Sequence, residues 1–391
     1  IVTLFMGELK TVKGLLGLKV IFLLVVLLAV NLAGCVQEKN HLQGYVEVSP
    51  QVKLDEPSVL PNWKDDEYHD YYSTVQKLRG FNRMFPNLVD LFSIGKSVSG
   101  RDIWCMRLTN EGNKSVKLSC LIDGCIHGCE WEAGEAPLYL AEYLLINFGK
   151  NAMVTSILNT TEVYIVPLVN PDGRENDERW NANGIDLNRN FDVDFGRLRG
   201  HVLPLGKIFG RIKIPVVSVP LLGLWFTNCG RYPFSEPETQ AMRGLMENLA
   251  SHNFSFYVNC HTAMHMVITP WNAFKPPFEI PSNEENVFNY VKKWVVENTE
   301  YEDKPMSYHA SGTAIDWCFK EFHVPSFTFE ILSKDYEPGS GHGKHDHLVH
   351  WMKTTLPFFL YLLVNIDNLH DWQVPDRQPP LPDGVPPQPL R

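Results

Sequence analysis

His127 and Glu130 stand three residues apart in the stretch LSCLIDGCIHGCEW, residues 118–131, and their types suggest metal chemistry. An imidazole and a carboxylate one turn apart project the same way. As borderline ligands they suit zinc. A catalytic metal needs a third ligand, and His261 supplies one. It closes the apolar run FSFYVNCH, residues 254–261, and Thr262 follows it. Two imidazoles and one carboxylate leave a fourth position open to water, the arrangement of a hydrolytic rather than a structural zinc site. No CxxC pair with zinc spacing occurs, which argues against a thiolate site.

The elements that must position these side chains are legible around them. Leu118, Leu121 and Ile122 form an apolar run that predicts a buried strand, broken at Gly124 and Gly128. The amphipathic helix GEAPLYLAEYLL follows and runs to about Phe148. Further strands are expected at 89–94 and 103–108, joined at Ser99-Gly100-Arg101. Others are expected at 163–169, 254–261 and 326–331, the last carrying Glu330. A helix from Tyr68 places Tyr71, Val75, Leu78 and Phe81 on one face, and Pro86 stops it. Strands alternating with helices predict an α/β fold: a single domain with a mixed, largely parallel twisted sheet flanked by helices. Polar residues gathered where buried strands end mark the usual ligand crevice of such sheets.

Six pieces in order then carry a resemblance. They are His127-Gly-Cys-Glu130, Asn170-Pro-Asp-Gly173, Asn183-Gly-Ile-Asp-Leu-Asn188-Arg189-Asn190-Phe191, His261-Thr262, Tyr308-His-Ala-Ser-Gly312 with Ile315-Asp-Trp317, and Phe327-Thr-Phe-Glu330. From about Tyr68 to Leu369 the chain resembles the zinc metallocarboxypeptidases of the carboxypeptidase A/B superfamily. That likeness implies a carboxypeptidase-like fold and one zinc per chain, held by His127, Glu130 and His261. Carboxypeptidase A is the standing example of such a His-Glu-His donor set. It implies Glu330 as general base, at the end of an apolar strand where desolvation raises a carboxylate towards a useful range. It implies Asn188 and Arg189 as the clasp for the substrate's terminal carboxylate, since a guanidinium fork matches a carboxylate bidentately. Tyr308 would close over the substrate, and Arg179 would face the charge developing on the scissile carbonyl oxygen. Ile315 would set the floor of the pocket for the departing side chain, favouring apolar or aromatic residues over cations.

The chain also departs from that pattern. Cys129 stands between the metal ligands where pancreatic relatives carry Arg, and Ala263 replaces a substrate-lining Tyr. The spacing Arg179-x-Asn-Ala-x-Gly is similar to the regulatory branch of the superfamily instead. No propeptide domain fits into residues 36–63. His342, His345, His347 and His350 cluster near the C-terminal end, but His347 and His350 straddle the start of an ordinary helix.

Composition bounds the rest. The 391 residues carry a formal net charge of −10, and no basic patch with aromatic interleaving appears, so nucleic acid is not an expected partner. Lys10, Lys13 and Lys19 precede the run VIFLLVVLLAV and then Leu32-Ala33-Gly34-Cys35. That order reads as a signal segment, residues 1–35, ending in a lipobox whose Cys35 is acylated; an uncleaved anchor is the alternative. Either puts the body outside the cytoplasm, tethered to the membrane through residues 36–63. The catalytic domain is expected at 64–371, with an apolar, basic insertion at 195–233 and a Pro-rich tail at 372–391. Seven cysteines remain besides Cys35, so at least one stays unpaired if disulfides form. The expected activity is removal of C-terminal residues from peptides or proteins by a monomer. The competing readings are a zinc peptidase cutting cell-wall peptides and a non-catalytic, peptide-binding lipoprotein.

Overall fold

Runs rich in β-branched and aromatic residues pair into one sheet of seven strands. In chain order they are β1 (Val89–Lys96), β2 (Asp102–Leu108), β3 (Leu118–Asp123), β4 (Thr161–Val166), β5 (Phe254–Thr262), β6 (Met266–Ile268) and β7 (Ser326–Ile331). This computed structural model describes residues 58–196, 228–280, 282–303, 309–332 and 344–371. Cys35, Tyr308, His342, the signal segment, residues 197–227 of the expected insertion and the tail from 372 lie outside the described residues.

The sheet order is β1-β2-β4-β3-β5-β7-β6. Its four central strands, β4, β3, β5 and β7, run parallel, while β1, β2 and β6 pair antiparallel at the two sides. Every residue of β5 and β7 is buried, as expected of parallel strands covered on both faces. Helices supply that cover. They are α1 (Tyr71–Met84), α2 (Trp131–Asn147), α3 (Ala152–Thr160), α4 (Pro171–Asn176), α5 (Pro237–Ala250), α6 (Ser282–Asn298), α7 (Ala314–Phe322), α8 (Leu348–Val364) and α9 (Ile366–Asp371).

Two apolar clusters fill the layers. One joins α2 and α8 to one face of β3, β4, β5 and β7. The other joins α5 and α7 to the opposite face. In α1 the structure buries Thr74 beside Leu78 and Phe81, and Val75 is only half-buried. The Asp70 carboxylate caps the helix by accepting from Ser73 N at 2.8 Å, so the helix begins three residues after Tyr68.

The expected strand at 163–169 is shifted: β4 spans Thr161–Val166. Pro167 has no N–H to continue the ladder. The chain then bonds instead to the turn after β3, with Val169 N on Gly124 O at 3.1 Å and Asn170 N on Cys125 O at 3.0 Å. The end of the expected tether is also docked. Val59 N donates to Asn147 Oδ1 at 2.8 Å, and Trp63 Nε1 donates to Glu142 Oε2 at 2.8 Å.

The described cysteines, Cys105, Cys120, Cys125, Cys129, Cys229, Cys260 and Cys318, are all buried, and no disulfide joins any of them. Among the described residues no helix is long and apolar enough to cross a membrane.

Candidate active site

Parallel strands bring their carboxyl ends to one side of the sheet, and the chemistry-bearing residues follow from that. His127 lies just past β3, Asn170 past β4, His261 near the end of β5, and Glu330 near the end of β7. The β5–β7 register sets His261 directly across from Glu330.

The turn between β3 and α2 is held by close backbone approach. A Cβ on Gly128 would fall 2.0 Å from the carbonyl carbon of Gly173, so only glycine lets the His127 turn rest on α4. That helix is capped by Asn170 Oδ1, which accepts from Gly173 N at 2.9 Å. Glu130 occupies the N-cap of α2, but its side chain makes no cap bond. It turns away, to the two imidazoles.

His127, Glu130 and His261 converge with ligand atoms within 4.8 Å of one another, all three buried. His127 Nδ1 lies 2.7 Å from Glu130 Oε1, and His261 Nδ1 lies 2.8 Å from Oε2 of the same carboxylate. On the far side of each ring a second acceptor waits: Asp186 Oδ1 is 3.1 Å from His127 Nε2, and Asn259 Oδ1 is 2.5 Å from His261 Nε2. A neutral imidazole carries one N–H, so it cannot satisfy acceptors on both sides. A cation on the Nδ1 side resolves this for both rings at once, leaving each Nε2–H to its own anchor. The donor set therefore fits zinc.

Electrostatics point the same way. Burial pushes the Glu130 carboxyl up, but the His127 and His261 imidazoles outweigh it and hold the group far below the usual carboxylate range. Burial works against a charged His261, yet the neighbouring Glu130 raises its pKa. Cys129 is not part of the converging cluster, and burial pushes its thiol well up.

The anchors are themselves tied down. Asp186 is fully buried and caps the 3-10 turn Leu187–Arg189 through Asn188 N at 3.2 Å. It also accepts from Arg179 Nε at 3.0 Å. Asn259 donates to Asp123 Oδ1 at 2.5 Å, and Tyr257 Oη donates to Asp123 Oδ2 at 2.7 Å. Asp186→Ala frees the His127 ring to rotate. Its zinc affinity is expected to fall roughly 10- to 100-fold, read by titration against a competing chelator. An unchanged Kd would mean that the β3 turn alone fixes the ring.

A cavity of about 90 Å³ opens over the three ligands. It is lined by Arg179, Asn188, Arg189 and Glu330, with Thr262, Met264, Ile268, Asn272, Ala310, Thr313 and Thr328 completing the wall. Burial pushes the Glu330 carboxyl up to about 7 against the opposing pull of His261. Arg179 also reaches Glu130, with Nη1 at 3.4 Å from Oε1. Asn188 Oδ1 accepts from Ala314 N at 2.9 Å, and its Nδ2 lies 3.1 Å from His261 Nε2. Arg189 donates through Nη1 to Asn188 O at 2.7 Å, while its buried Nε has no acceptor.

The structure thus brings together His127, Glu130, His261, Arg179, Asn188, Arg189 and Glu330. Ile315 lies behind the wall residues. At 1 % exposure it is sealed in the apolar cluster that also holds Ile268, and it is not among the cavity-lining residues. The helical turn from Thr313 instead sends the next residue, Asp316, to hold Asn272 at the wall. Among the described residues the cluster above is the only candidate metal group, and His345, His347 and His350 are not part of it. His347 caps α8, and His345 Nδ1 lies 2.9 Å from Glu132 Oε1.

Sequence reasoning passed over Asp186 as a ring anchor, Asn259 and Asn272. Asp186 had a signal in its place between Asn183 and Asn188; the other two acquire roles only through contacts across the sheet.

The profile of the zinc carboxypeptidase family matches residues 74–340. Carboxypeptidase D of Rattus norvegicus is 31% identical over 211 residues, which are 51% of this chain and 15% of that protein. Carboxypeptidase A6 of Homo sapiens is 24% identical over 298 residues, 71% of this chain and 63% of that protein. The chain therefore spans less than two thirds of either relative. The crystal structure of carboxypeptidase A from Helicoverpa armigera superposes with a TM-score of 0.60 at 20% identity, covering 81% of this chain and 77% of that one. At that identity the likeness shows the fold.

Proposed function

The chain belongs to the zinc carboxypeptidase family, and from that premise we propose that it is a metallocarboxypeptidase removing the C-terminal residue of peptides. One observation carries the reading. Arg189, whose buried Nε–H has no acceptor, lines the same cavity as three converging zinc donors and a general-base carboxylate. A free α-carboxylate is the group a guanidinium fork receives best.

Zinc held by His127, Glu130 and His261 supplies Lewis acidity, lowering the pKa of a bound water and polarising the carbonyl. The chain's own residues supply the rest. Glu330 takes a proton from the hydrolytic water as its oxygen bonds to the scissile carbonyl carbon. It then returns that proton to the nitrogen as the C–N bond breaks. Arg179 faces the carbonyl oxygen as negative charge grows there. Asn188 and Arg189 hold the departing residue's carboxylate, and Tyr308 is read as the closing hydroxyl.

Neutral departing residues, apolar and aromatic ones among them, suit the pocket. Among the described residues the cavity's only carboxylates are Glu130 and Glu330, both already committed. A buried Lys or Arg end would lack a partner, which is costly.

Arg189→Met tests the exopeptidase reading. Wild-type protein is expected to cleave a blocked dipeptide with a free carboxylate and to leave its C-terminal amide uncut. The variant is expected to lose about 100-fold in kcat/KM on the free acid, the scale of one lost charge-assisted bond to a buried group. Equal cleavage of acid and amide by wild type would instead indicate an endopeptidase or amidase.

We further place the protein at the cell surface, anchored through an acylated Cys35. The support is the run from Lys10 to Cys35. Cys35→Ser is expected to move it from the membrane to the soluble fraction, and retention would favour an uncleaved anchor.

A further inference from the structure

Four residues that line the cavity each carry a buried polar atom without a hydrogen-bond partner: Arg189 Nε, Glu330 Oε2, Thr262 Oγ1 and Asn272 Oδ1. The first two are used by the proposed reaction. Asn272 Oδ1 is not, and a buried amide oxygen without a donor is a group that a ligand is rewarded for meeting.

The orientation of that amide is fixed from behind. Asp316 is fully buried in the first turn of α7. Its Oδ2 accepts from Asn272 N and Ala273 N, each at 2.9 Å, and its Oδ1 accepts from Asn272 Nδ2 at 3.1 Å. As a carboxylate Asp316 offers only acceptors, so the NH2 branch of Asn272 is the one that faces it. The Oδ1 branch is thereby turned away from Asp316, on a residue that lines the cavity. Thr313 Oγ1, another lining residue, steadies the same turn by accepting from Asp316 N at 3.4 Å. The neighbouring wall from Ile268, Ala310 and Thr328 is neutral.

We infer that Asn272 is a specificity-determining residue, and that its Oδ1 selects departing residues whose neutral side chains carry an N–H or O–H donor. This rests on the carboxypeptidase reading and narrows it. Among ends of similar shape, Tyr is favoured over Phe, Gln over Met, Asn over Leu and Thr over Val. A site built to accept a hydrogen bond discriminates strongly against the isostere that lacks the donor, because its own acceptor is then left unpaired. A cation brings donors too, but it pays desolvation of a full charge with no anion to meet it. Asp316 acts through Asn272 as a positioning residue.

The experiment measures kcat/KM of zinc-loaded protein on blocked dipeptides ending in those eight residues, for wild type and Asn272→Leu. Wild type is expected to favour the donor-bearing member in at least three of the four pairs. In Asn272→Leu, which removes the acceptor at nearly constant volume, the Gln/Met and Tyr/Phe ratios are expected to fall tenfold or more. A smaller fall, or a wild type that favours the apolar member in two or more pairs, overturns the inference and leaves the carboxypeptidase reading standing. If the variant does not fold, as judged by its melting curve and zinc content, the wild-type ratios decide alone. Failure to cleave any free-carboxylate peptide overturns both.

Discussion

Removing zinc from the purified protein is expected to abolish peptide hydrolysis, and one equivalent of zinc is expected to restore it. The expectation comes from the donor set. Glu130 is wedged between two imidazole Nδ1 atoms at 2.7 and 2.8 Å, and each ring is already anchored through Nε2. Three buried ligand groups are thus arranged around one point where a bound cation would satisfy all of them. Stability should respond along with activity. With free zinc at 1,000 times its Kd, binding contributes about 4 kcal/mol to the folded state, so the chelated protein is expected to melt several degrees lower. His261→Ala takes away one ligand from the end of β5 and is expected to reproduce both losses without chelator. Hydrolysis that is indifferent to chelation, or a melting curve that zinc does not move, would sink the metal reading.

How far the sequence reached depends on whether a residue's role is local. The His127–Glu130 pair was readable because both ligands sit on one turn. The strands carrying His261 and Glu330 were readable because parallel strands buried on both faces are nearly continuous in apolar character. Val75 was misplaced because spacing alone does not say where on a helix the buried stripe is centred, and the packing of α1 centres it on Thr74, Leu78 and Phe81. Ile315 was assigned to the pocket by resemblance, and its side chain is buried in the apolar cluster that also holds the lining residue Ile268. The residue that does reach the wall, Asn272, precedes Asp316 by 44 positions. Only folding joins them. The ring anchors follow the same logic: Asp186 meets His127 across 59 positions. No periodicity encodes such a contact, since it depends on which strand ends the sheet order brings side by side.

Glu330→Gln is expected to lower kcat by roughly 10³-fold while leaving zinc binding and KM close to wild type. The argument begins with position. Glu330 lies across from His261 in the β5–β7 register and lines the cavity above the metal donors, with Oε2 buried and without a hydrogen-bond partner. An acceptor left unpaired beside a metal site is free to receive a proton from water there. Desolvation then tunes it: burial pushes the carboxyl up to about 7, near the range where a base is both deprotonated and able to hold a proton in passing. Gln matches the carboxylate in shape, so packing on β7 is kept and only the capacity to take a proton is lost. That separates the chemical role from a structural one, because a merely structural acid would show its loss in melting temperature or zinc content rather than in kcat. Glu330→Asp gives the complementary measurement. It keeps the acid but withdraws it by one methylene, and should fall between wild type and Gln. If Glu330→Gln turns over like wild type, another group activates the water, and Glu330 is a buried structural acid.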